Sequence, residues 1–140
     1  MSWNDDNSEL IEGFVSESRD ALELIDPLFI EVIECLSDGF EVNTETLNGI
    51  FRLFHTMKGS AGFLNLNVIV SVNHEAETLL DLCRSGKAEL KKEYFEILLQ
   101  SCDIISTLMD GVEETGSDVG IYDISDILDL LKSTIDQIKN

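Results

Sequence analysis

Residues 47–64 have the sequence LNGIFRLFHTMKGSAGFL, and this stretch decides the fold. Its apolar side chains recur every three or four residues, which is the spacing that places them on one side of an α-helix. They are Leu47, Ile50, Phe54, Met57 and Ala61. The pattern therefore predicts an amphipathic helix from about Glu45 to Phe63, with its apolar side turned toward a hydrophobic core.

A second stripe on the same helix carries polar and small residues. His55, Lys58, Gly59 and Gly62 lie at successive offsets of three, one and three, about a third of a turn from the apolar side. Two glycines inside a helix cost about 1 kcal/mol each relative to alanine, so a requirement other than helix stability favours them here. A bare surface beside His55 would let the backbone of another protein approach the imidazole.

The chemical meaning of His55 has two interpretations. A single histidine in a helix is more often a partly buried packing residue than a reactive group. Its neighbours favour the reactive interpretation, because Lys58 supplies a mobile positive charge suited to a phosphoryl group and the glycines admit a partner. We therefore take His55 as the candidate functional residue.

Residues 55–63, with the sequence HTMKGSAGF, resemble the phosphoacceptor motif of histidine phosphotransfer (Hpt) domains. The preceding LNGIFR, residues 47–52, is most similar to the P1 domain of chemotaxis histidine kinases of the CheA type. The similarity extends more weakly from about Ser8 to the end of the chain. Ser60 stands where these domains often have a glycine, on the side away from His55. The resemblance implies an Hpt fold in which His55 accepts and passes on a phosphoryl group.

Length and composition fit one compact domain over residues 1–140. The chain has 44% hydrophobic residues and a single proline. It lacks an uninterrupted apolar run of about 18 residues, and its N-terminus lacks a basic segment followed by an apolar one. We therefore expect a cytoplasmic protein without membrane insertion.

The cysteines argue against a disulfide-bonded or metal-binding protein, and the charge argues against a protein that binds nucleic acid or membranes. Cys35, Cys83 and Cys102 are odd in number and lack CxxC spacing, which favours reduced, buried thiols over disulfides or metal ligands. The net charge of -19 opposes binding to nucleic acid or to an anionic membrane, since both require clustered cations. The acidic residues are spread along the helices, which is typical of a solvated surface.

Four further helical patterns flank the central one. They cover residues 8–36, 68–84, 90–112 and 123–138. Pro27 interrupts the first pattern and predicts a kink or a break near Asp26. No alternating strand pattern of useful length occurs. We therefore predict an all-α fold, an up-and-down four-helix bundle with a fifth C-terminal helix appended.

The segments between the helical patterns are short and polar. Asn43 or Thr44 is predicted to cap the central helix, and residues 65–67 are predicted to supply a turn and a cap before the third helix. Residues 113–121 are rich in glycine and acid and predict a flexible loop, without the lysine and following helix of a phosphate-binding loop. We expect residues 1–7 to be disordered.

The third helix carries His74, Glu77 and Asp81 as a stripe beside its apolar side. Helices joined by so short a turn are antiparallel neighbours, so this stripe can face His55. We predict that Glu77 accepts a hydrogen bond from Nδ1–H of His55, which leaves the Nε2 lone pair free to attack a γ-phosphoryl group. The resemblance implies the same arrangement, since His74, Glu77 and Lys58 match the positions around the phosphorylated histidine of P1 domains.

The expected role is that of a carrier which is not an enzyme on its own and binds no cofactor or metal. The sequence has no nucleotide-binding motif, so ATP and Mg²⁺ would come from the ATP-binding domain of a histidine kinase. The resemblance implies that the phosphoryl group then passes to an aspartate of a response regulator receiver domain, in a chemotaxis two-component phosphorelay. Gly59 and Gly62 mark the predicted docking surface.

Two alternative functions stay open. The chain could be an interaction bundle in which His55 is incidental, because a fold can persist after its chemistry has been lost. It could also be a metal-binding bundle, with zinc held by His55, His74 and Glu77. Against the second, the sequence has only two histidines and lacks the paired Glu-x-x-His motifs of di-metal bundles. Metal analysis of the purified protein would separate the metal-binding bundle from a carrier, because a carrier should be metal-free.

Overall fold

The computed structural model describes residues 5–140, with side chains from Ser8 onward. Five helices occupy this range: α1 (Asp5–Ser37), α2 (Thr44–Phe63), α3 (Asn67–Arg84), α4 (Lys92–Thr115) and α5 (Ser125–Lys139). The described part of the chain contains no strand, so the all-α prediction is confirmed. None of the helices in this range combines the length and the apolar character needed to cross a membrane.

The first four helices form the predicted up-and-down bundle. α2 packs chiefly on α3, and α1 packs chiefly on α4, while contacts of α1 with α2 and of α3 with α4 close the ring. α5 lies against α3 and α4. The rings of Phe54 and Phe95 both lie 6.1 Å from the ring of Phe29, between centroids, and so join three helices at the centre of the core.

The apolar side of α2 faces the core as predicted. Its five buried side chains are at most 3% exposed; they are Leu47, Ile50, Phe54, Met57 and Ala61. Each residue that leaves water in this way contributes roughly 1.5–3 kcal/mol when the side chain is as large as leucine or phenylalanine. The burial of this side fixes the rotation of α2, and therefore fixes which side of the helix His55 presents to solvent.

α1 continues through Pro27 without a break, so the break predicted as one of two outcomes near Asp26 is wrong, and the kink stays a prediction. Proline removes one hydrogen bond from a helix and crowds the preceding turn. Ile25 and Phe29, on either side of Pro27, are both fully buried in the core. This packing holds both halves of α1 against the same core, and its stabilisation outweighs the loss of one backbone hydrogen bond at Pro27.

The short connection between α2 and α3 makes the two helices antiparallel neighbours. Asn43 caps α2, because its Oδ1 accepts a hydrogen bond from the Glu45 N–H at 2.8 Å. After α2, Asn65 adopts a left-handed conformation with φ 59°, which asparagine tolerates better than most residues. No side chain of residues 65–67 caps α3, so that part of the prediction is wrong.

The cap of α3 comes from the segment between α4 and α5. Asp118 is 2% exposed, and its Oδ2 accepts a hydrogen bond from the Ile69 N–H at 2.9 Å. In the same segment Ile121 lies so close to Gly111 of α4 that a Cβ atom at Gly111 would meet it at 2.4 Å. The predicted loop over residues 113–121 is wrong for residues 113–115, which complete α4. The flexibility of the remainder stays a prediction, although two contacts tie it to the bundle.

We predict that Asp118→Ala lowers the free energy of unfolding by about 1–3 kcal/mol, because it leaves a buried N–H at the start of α3 without a partner. Urea unfolding followed by circular dichroism measures the change. Asp129→Ala on the exposed side of α5 is the matched control and should change stability by less than about 0.5 kcal/mol. Equal stability of the two variants would contradict the capping role.

Asp26 is an unfavourable residue at the contact between α1 and α4. Its Oδ1 is buried and has no hydrogen-bond partner among the described residues. Burial raises the pKa of the Asp26 carboxyl above its usual value, and the negative charge of Asp103 on α4 raises it further. Arg19 lines the same cavity, but its guanidinium donates to Asp110 and Glu113 instead.

We predict that Asp26→Asn stabilises the fold at about pH 7 by up to about 1 kcal/mol, the scale of charge interactions at partly exposed sites. A raised pKa means that the folded state binds the proton more tightly than the unfolded state. The destabilisation by Asp26 is therefore absent below the ordinary value of 3.8 and grows as pH rises through the folded pKa. The gain should disappear near pH 3.

Urea unfolding at both pH values measures this effect. Asp20→Asn is the matched control, since Asp20 is exposed on the same helix. If Asp26→Asn raises the free energy of unfolding equally at the two pH values, or by no more than the control does, the charge of Asp26 does not destabilise the bundle.

All three cysteines are free thiols. Cys83 and Cys102 are buried as predicted, whereas Cys35 is only half-buried. Burial raises the pKa of the Cys83 thiol to about 12, so this side chain is an unreactive packing group at neutral pH. The predicted disorder of residues 1–7 lies outside the described residues for positions 1–4, and residues 5–7 belong to α1.

Candidate functional site

The antiparallel packing of α2 and α3 brings His55 and Glu77 to the same level of the bundle. His55 lies two helical turns before the end of α2, and Glu77 lies nearly three turns after the start of α3. At 1.5 Å of rise per residue these positions are roughly 12 and 15 Å from the turn. The short connection therefore sets the register that lets the two side chains meet.

The hydrogen bond predicted from the sequence is present. Nδ1 of His55 lies 2.8 Å from Oε2 of Glu77. The other carboxylate oxygen of Glu77, Oε1, accepts a hydrogen bond from Nζ of Lys58 at 2.5 Å. Because Lys58 follows His55 by three residues, the two side chains leave α2 side by side and share one acceptor on α3. Glu77 thus orients both of them.

The charge of Glu77 determines the tautomer of His55. Burial by itself would raise the pKa of Glu77, but hydrogen bonds from Lys58 and His55 and the positive charge of Lys58 outweigh it and lower the pKa below the usual value. Glu77 is therefore ionised at neutral pH, and an ionised carboxylate can only accept hydrogen bonds. In the neutral imidazole of His55 the single proton therefore lies on Nδ1, which leaves the Nε2 lone pair free.

Burial is graded across this group of three side chains. The side chain of Glu77 is 11% exposed, that of Lys58 is 24% exposed, and that of His55 is 65% exposed. The charge that orients the imidazole is thus shielded from water, while the imidazole itself can be reached from outside. This is the arrangement that a reaction between His55 and a second protein requires.

The surface next to His55 is open. A Cβ atom at Gly59 or Gly62 would meet no atom within 4 Å, so a partner could approach the backbone of α2 closely at both residues. Beyond Gly59, a groove runs between the end of α2 and the start of α1, lined by apolar side chains with Glu9 and Glu17 among them. Two large apolar side chains in the groove are exposed, Phe63 by 76% and Leu10 by 52%. Sequence reasoning named the glycines but missed this groove, which depends on how α1 packs on α2.

His74 does not join the group. It is exposed on α3, and its imidazole makes no hydrogen bond or ion pair with any described residue. Across residues 8–140 the structure brings together no three His, Cys, Asp or Glu side chains that could hold a metal ion. The geometry therefore gives no support to a zinc site made of His55, His74 and Glu77. A supporting role of His74 in the reaction of His55, which the resemblance to P1 domains implies, stays a prediction.

Sequence reasoning missed an aromatic ring that contacts the imidazole and a guanidinium that lies over that ring. The ring of Phe51 stacks against His55, with 6.1 Å between centroids and 12° between planes. Arg84, at the end of α3, places its Cζ 3.8 Å from the centroid of the Phe51 ring. An aromatic residue four positions before a helical histidine was a usable signal, since residues at that spacing are neighbours. Nothing local in the sequence indicated Arg84.

Comparison with known protein families agrees with this geometry. The model of the Hpt domain family matches residues 9–140, nearly the whole chain. The chain belongs to the Hpt domain family. The matched range includes most of α1 and all of α2 to α5.

The curated relatives of this Hpt domain include a sensor histidine kinase and a chemotaxis protein. The sensor histidine kinase CheAY of Helicobacter pylori is 34% identical over 114 residues, which is 81% of this chain and 14% of the relative. The chemotaxis protein CheA of Cereibacter sphaeroides is 30% identical over 123 residues, which is 88% of this chain and 18% of the relative. This Hpt domain therefore corresponds to less than a fifth of the length of either relative.

Solved structures with the same fold are Hpt domains of CheA proteins. The phosphorylated P1 domain of CheA3 from R. sphaeroides, solved in complex with CheY6, has a TM-score of 0.82 at 24% identity and covers 93% of this chain and 98% of its own. A solution structure of the histidine phosphotransfer domain of CheA has a TM-score of 0.75 at 25% identity, with 90% and 91% covered. The predicted Hpt fold is confirmed.

Proposed function

We propose that this Hpt domain carries a phosphoryl group on Nε2 of His55, between a kinase domain and a receiver domain. The observation that carries the proposal is the pairing of an exposed imidazole with a buried, ionised carboxylate. An incidental surface histidine needs no such partner. Glu77, whose carboxylate also holds Lys58, gives His55 a fixed tautomer and a free lone pair on the side that faces solvent.

The chemistry follows from that tautomer. Nε2 attacks the γ-phosphorus of ATP, a bond forms between Nε2 and phosphorus, and the bond from phosphorus to the oxygen of ADP breaks. Positive charge develops on the imidazole, and the hydrogen bond from Nδ1–H to Glu77 stabilises it. No proton has to leave Nε2, since it carries none. The return step transfers the phosphoryl group from Nε2 to a carboxylate oxygen of an aspartate.

Lys58 supplies the positive charge for the phosphoryl group. In this structure its ammonium group is bound to Glu77, which keeps it within one helical turn of His55. A phosphoryl group on Nε2 brings about two negative charges to this surface, and the flexible stem of lysine lets the ammonium group turn toward them. Lys58 thereby offsets part of the repulsion from a chain with net charge -19.

The ATP and Mg²⁺ for the first step come from a kinase domain of the CheA type. Among the described residues the fold shows no group able to bind a metal ion, and phosphoryl transfer from ATP depends on positioning and on charge neutralisation by Mg²⁺. Relatives in which such a domain is one part of a chemotaxis kinase support this assignment. The domain is thus a substrate and carrier of a cytoplasmic chemotaxis phosphorelay and not an enzyme on its own.

The second partner is the receiver domain of a response regulator. It docks where Gly59 and Gly62 expose the backbone of α2, with apolar side chains covering Phe63 and Leu10 in the adjoining groove. Exposed apolar patches of this kind mark interaction surfaces. The CheA3 P1 domain, which has the same fold, was solved in complex with the protein CheY6.

A phosphorylation assay with residue mapping tests the proposal. The purified chain is incubated with labelled ATP and a CheA fragment that lacks its own P1 domain, and a receiver domain is then added. We expect a label that is stable in base, labile in acid, located at His55, absent without the kinase fragment and lost to the receiver domain. A label at another residue would contradict the proposal. So would the absence of label when the same kinase fragment phosphorylates its own P1 domain, added as a separate protein. An interaction bundle would bind partners without any label.

A further inference from the structure

The hydrogen bond to Glu77 leaves one rotation of the His55 ring free. The ring turns about two bonds, Cα–Cβ and Cβ–Cγ, and a single hydrogen bond at Nδ1 restrains only one combination of these two rotations, so the ring can still swing. The side chain is 65% exposed, so few other contacts restrict that swing. Because the Nε2 lone pair lies in the plane of the ring, the swing changes the direction in which Nε2 can attack.

Phe51 restricts this rotation. It precedes His55 by one helical turn, and the two ring planes are within 12° of parallel at a centroid distance of 6.1 Å. Offset parallel rings at such distances attract each other by about 0.5–1.5 kcal/mol. The attraction persists when the imidazole becomes positively charged, since the face of an aromatic ring favours cations. The stack therefore suits both the free and the phosphorylated states of His55.

Arg84 in turn holds Phe51. Its guanidinium lies over the ring of Phe51, with Cζ 3.8 Å from the centroid. Its Nε donates to Asp81 Oδ1 at 2.9 Å, and its Nη1 donates to Asn48 Oδ1 at 3.3 Å. Asp81 belongs to α3 and Asn48 to α2, so Arg84 is fixed from both helices. A side chain stacked under a fixed guanidinium has little freedom to leave its rotamer.

We propose that Phe51, held by Arg84, is a positioning residue that sets the plane of the His55 imidazole for phosphoryl transfer. Two contacts then define the direction of the Nε2 lone pair: Glu77 fixes one point and Phe51 fixes the plane. Phosphoryl transfer needs the attacking and leaving atoms nearly in line, so an unrestrained ring reacts more slowly. This inference rests on the proposed function of His55.

The first test replaces the aromatic ring while keeping apolar bulk. Phe51→Leu should lower the rate of phosphorylation of His55 by about tenfold, a modest part of the effect that misplaced reacting groups can have. Phe51→Tyr restores the ring plane and should recover most of the rate. Phe40→Leu, at an exposed phenylalanine in the connection between α1 and α2, is the matched control and should keep the wild-type rate.

The second test removes the support of Phe51. Arg84→Gln should lower the rate by about threefold, because Phe51 keeps its ring but loses the guanidinium that fixes it. Arg52→Gln removes the same charge from an exposed residue next to Phe51 in the sequence and should leave the rate unchanged. Equal effects of the two substitutions would show that only net charge matters and would overturn the role of Arg84.

NMR tests the orientation of the His55 ring without any phosphoryl transfer. The ring current of Phe51 should displace the NMR signals of the His55 ring protons, and Phe51→Leu should remove this displacement while Phe51→Tyr retains it. Unchanged His55 signals in Phe51→Leu, or a wild-type phosphorylation rate in that variant, would overturn the proposal. If wild-type His55 accepts no phosphoryl group, the proposed function fails instead, and the NMR spectra still report whether Phe51 orients the ring.

Discussion

Replacing His55 with glutamine is expected to reduce phosphorylation of the domain to background while leaving the fold intact. Glutamine has no nucleophilic nitrogen lone pair, so it cannot form the bond to phosphorus. Its amide N–H can still donate to Glu77, and the side chain it replaces is 65% exposed. The change in the free energy of unfolding should therefore stay within about 0.5 kcal/mol.

Label incorporation from ATP through a kinase fragment measures the loss, and circular dichroism with urea unfolding measures the fold. His74→Gln is the matched control, because it makes the same change at the other histidine, whose imidazole has no hydrogen bond to the described residues. This variant should still be labelled at His55, and a slower rate of labelling would measure the predicted supporting role of His74. Substantial label in His55→Gln would place the acceptor elsewhere.

Removing the carboxylate of Glu77 is expected to have the second largest effect. Glu77→Ala should lower the phosphorylation rate by about 100-fold, since it removes the acceptor that fixes the tautomer of His55 and stabilises its developing charge. Glu77→Gln keeps a carbonyl acceptor but no charge, so it should lose less. Rates measured at saturating kinase fragment separate these effects from weaker docking.

The neighbouring carboxylate provides the control for Glu77. Glu75→Ala removes the same charge from α3 two residues earlier and should leave the rate near that of the wild type. A similar loss in Glu75→Ala and Glu77→Ala would show that the rate follows the net charge of the helix and not the contact with His55.

The lowered pKa of Glu77 has a consequence for stability. A carboxyl whose pKa is lower in the folded state contributes stability that is fully present above its ordinary value of 4.5. This contribution is lost as the pH falls through the folded pKa, when protonation breaks the hydrogen bonds from Lys58 and His55. The difference in stability between the wild type and Glu77→Ala should therefore shrink below about pH 4.

The sequence was sufficient to predict the bundle and the pairing of His55 with Glu77. Both follow from local information: the three- and four-residue spacing around Phe54 sets the rotation of α2, and the short turn at Asn65 sets the register of α3. Once the rotation of α2 and the register of α3 are known, helical geometry determines which side chains face each other. The Hpt motif gave the same answer by resemblance.

Other features depend on packing between distant parts of the chain. α1 runs through Pro27 because buried residues on both sides of it hold the helix, which a local helix-breaking rule does not include. The cap of α3 comes from Asp118, 49 positions along the chain from Ile69. Arg84 reaches Phe51 only because α2 and α3 are already packed. In each case a tertiary contact determines the local structure, and the spacing of residues along one helix does not reveal that contact.

The central claim is that the phosphoryl group is bound to Nε2 of His55, with the proton of Nδ1 on the side of Glu77. The most direct measurement is an NMR spectrum of the phosphorylated domain, prepared with ¹⁵N-labelled histidine, that detects the coupling between phosphorus and nitrogen. The account predicts coupling to Nε2 of His55 and a protonated Nδ1. Coupling to Nδ1, or to either nitrogen of His74, would contradict it.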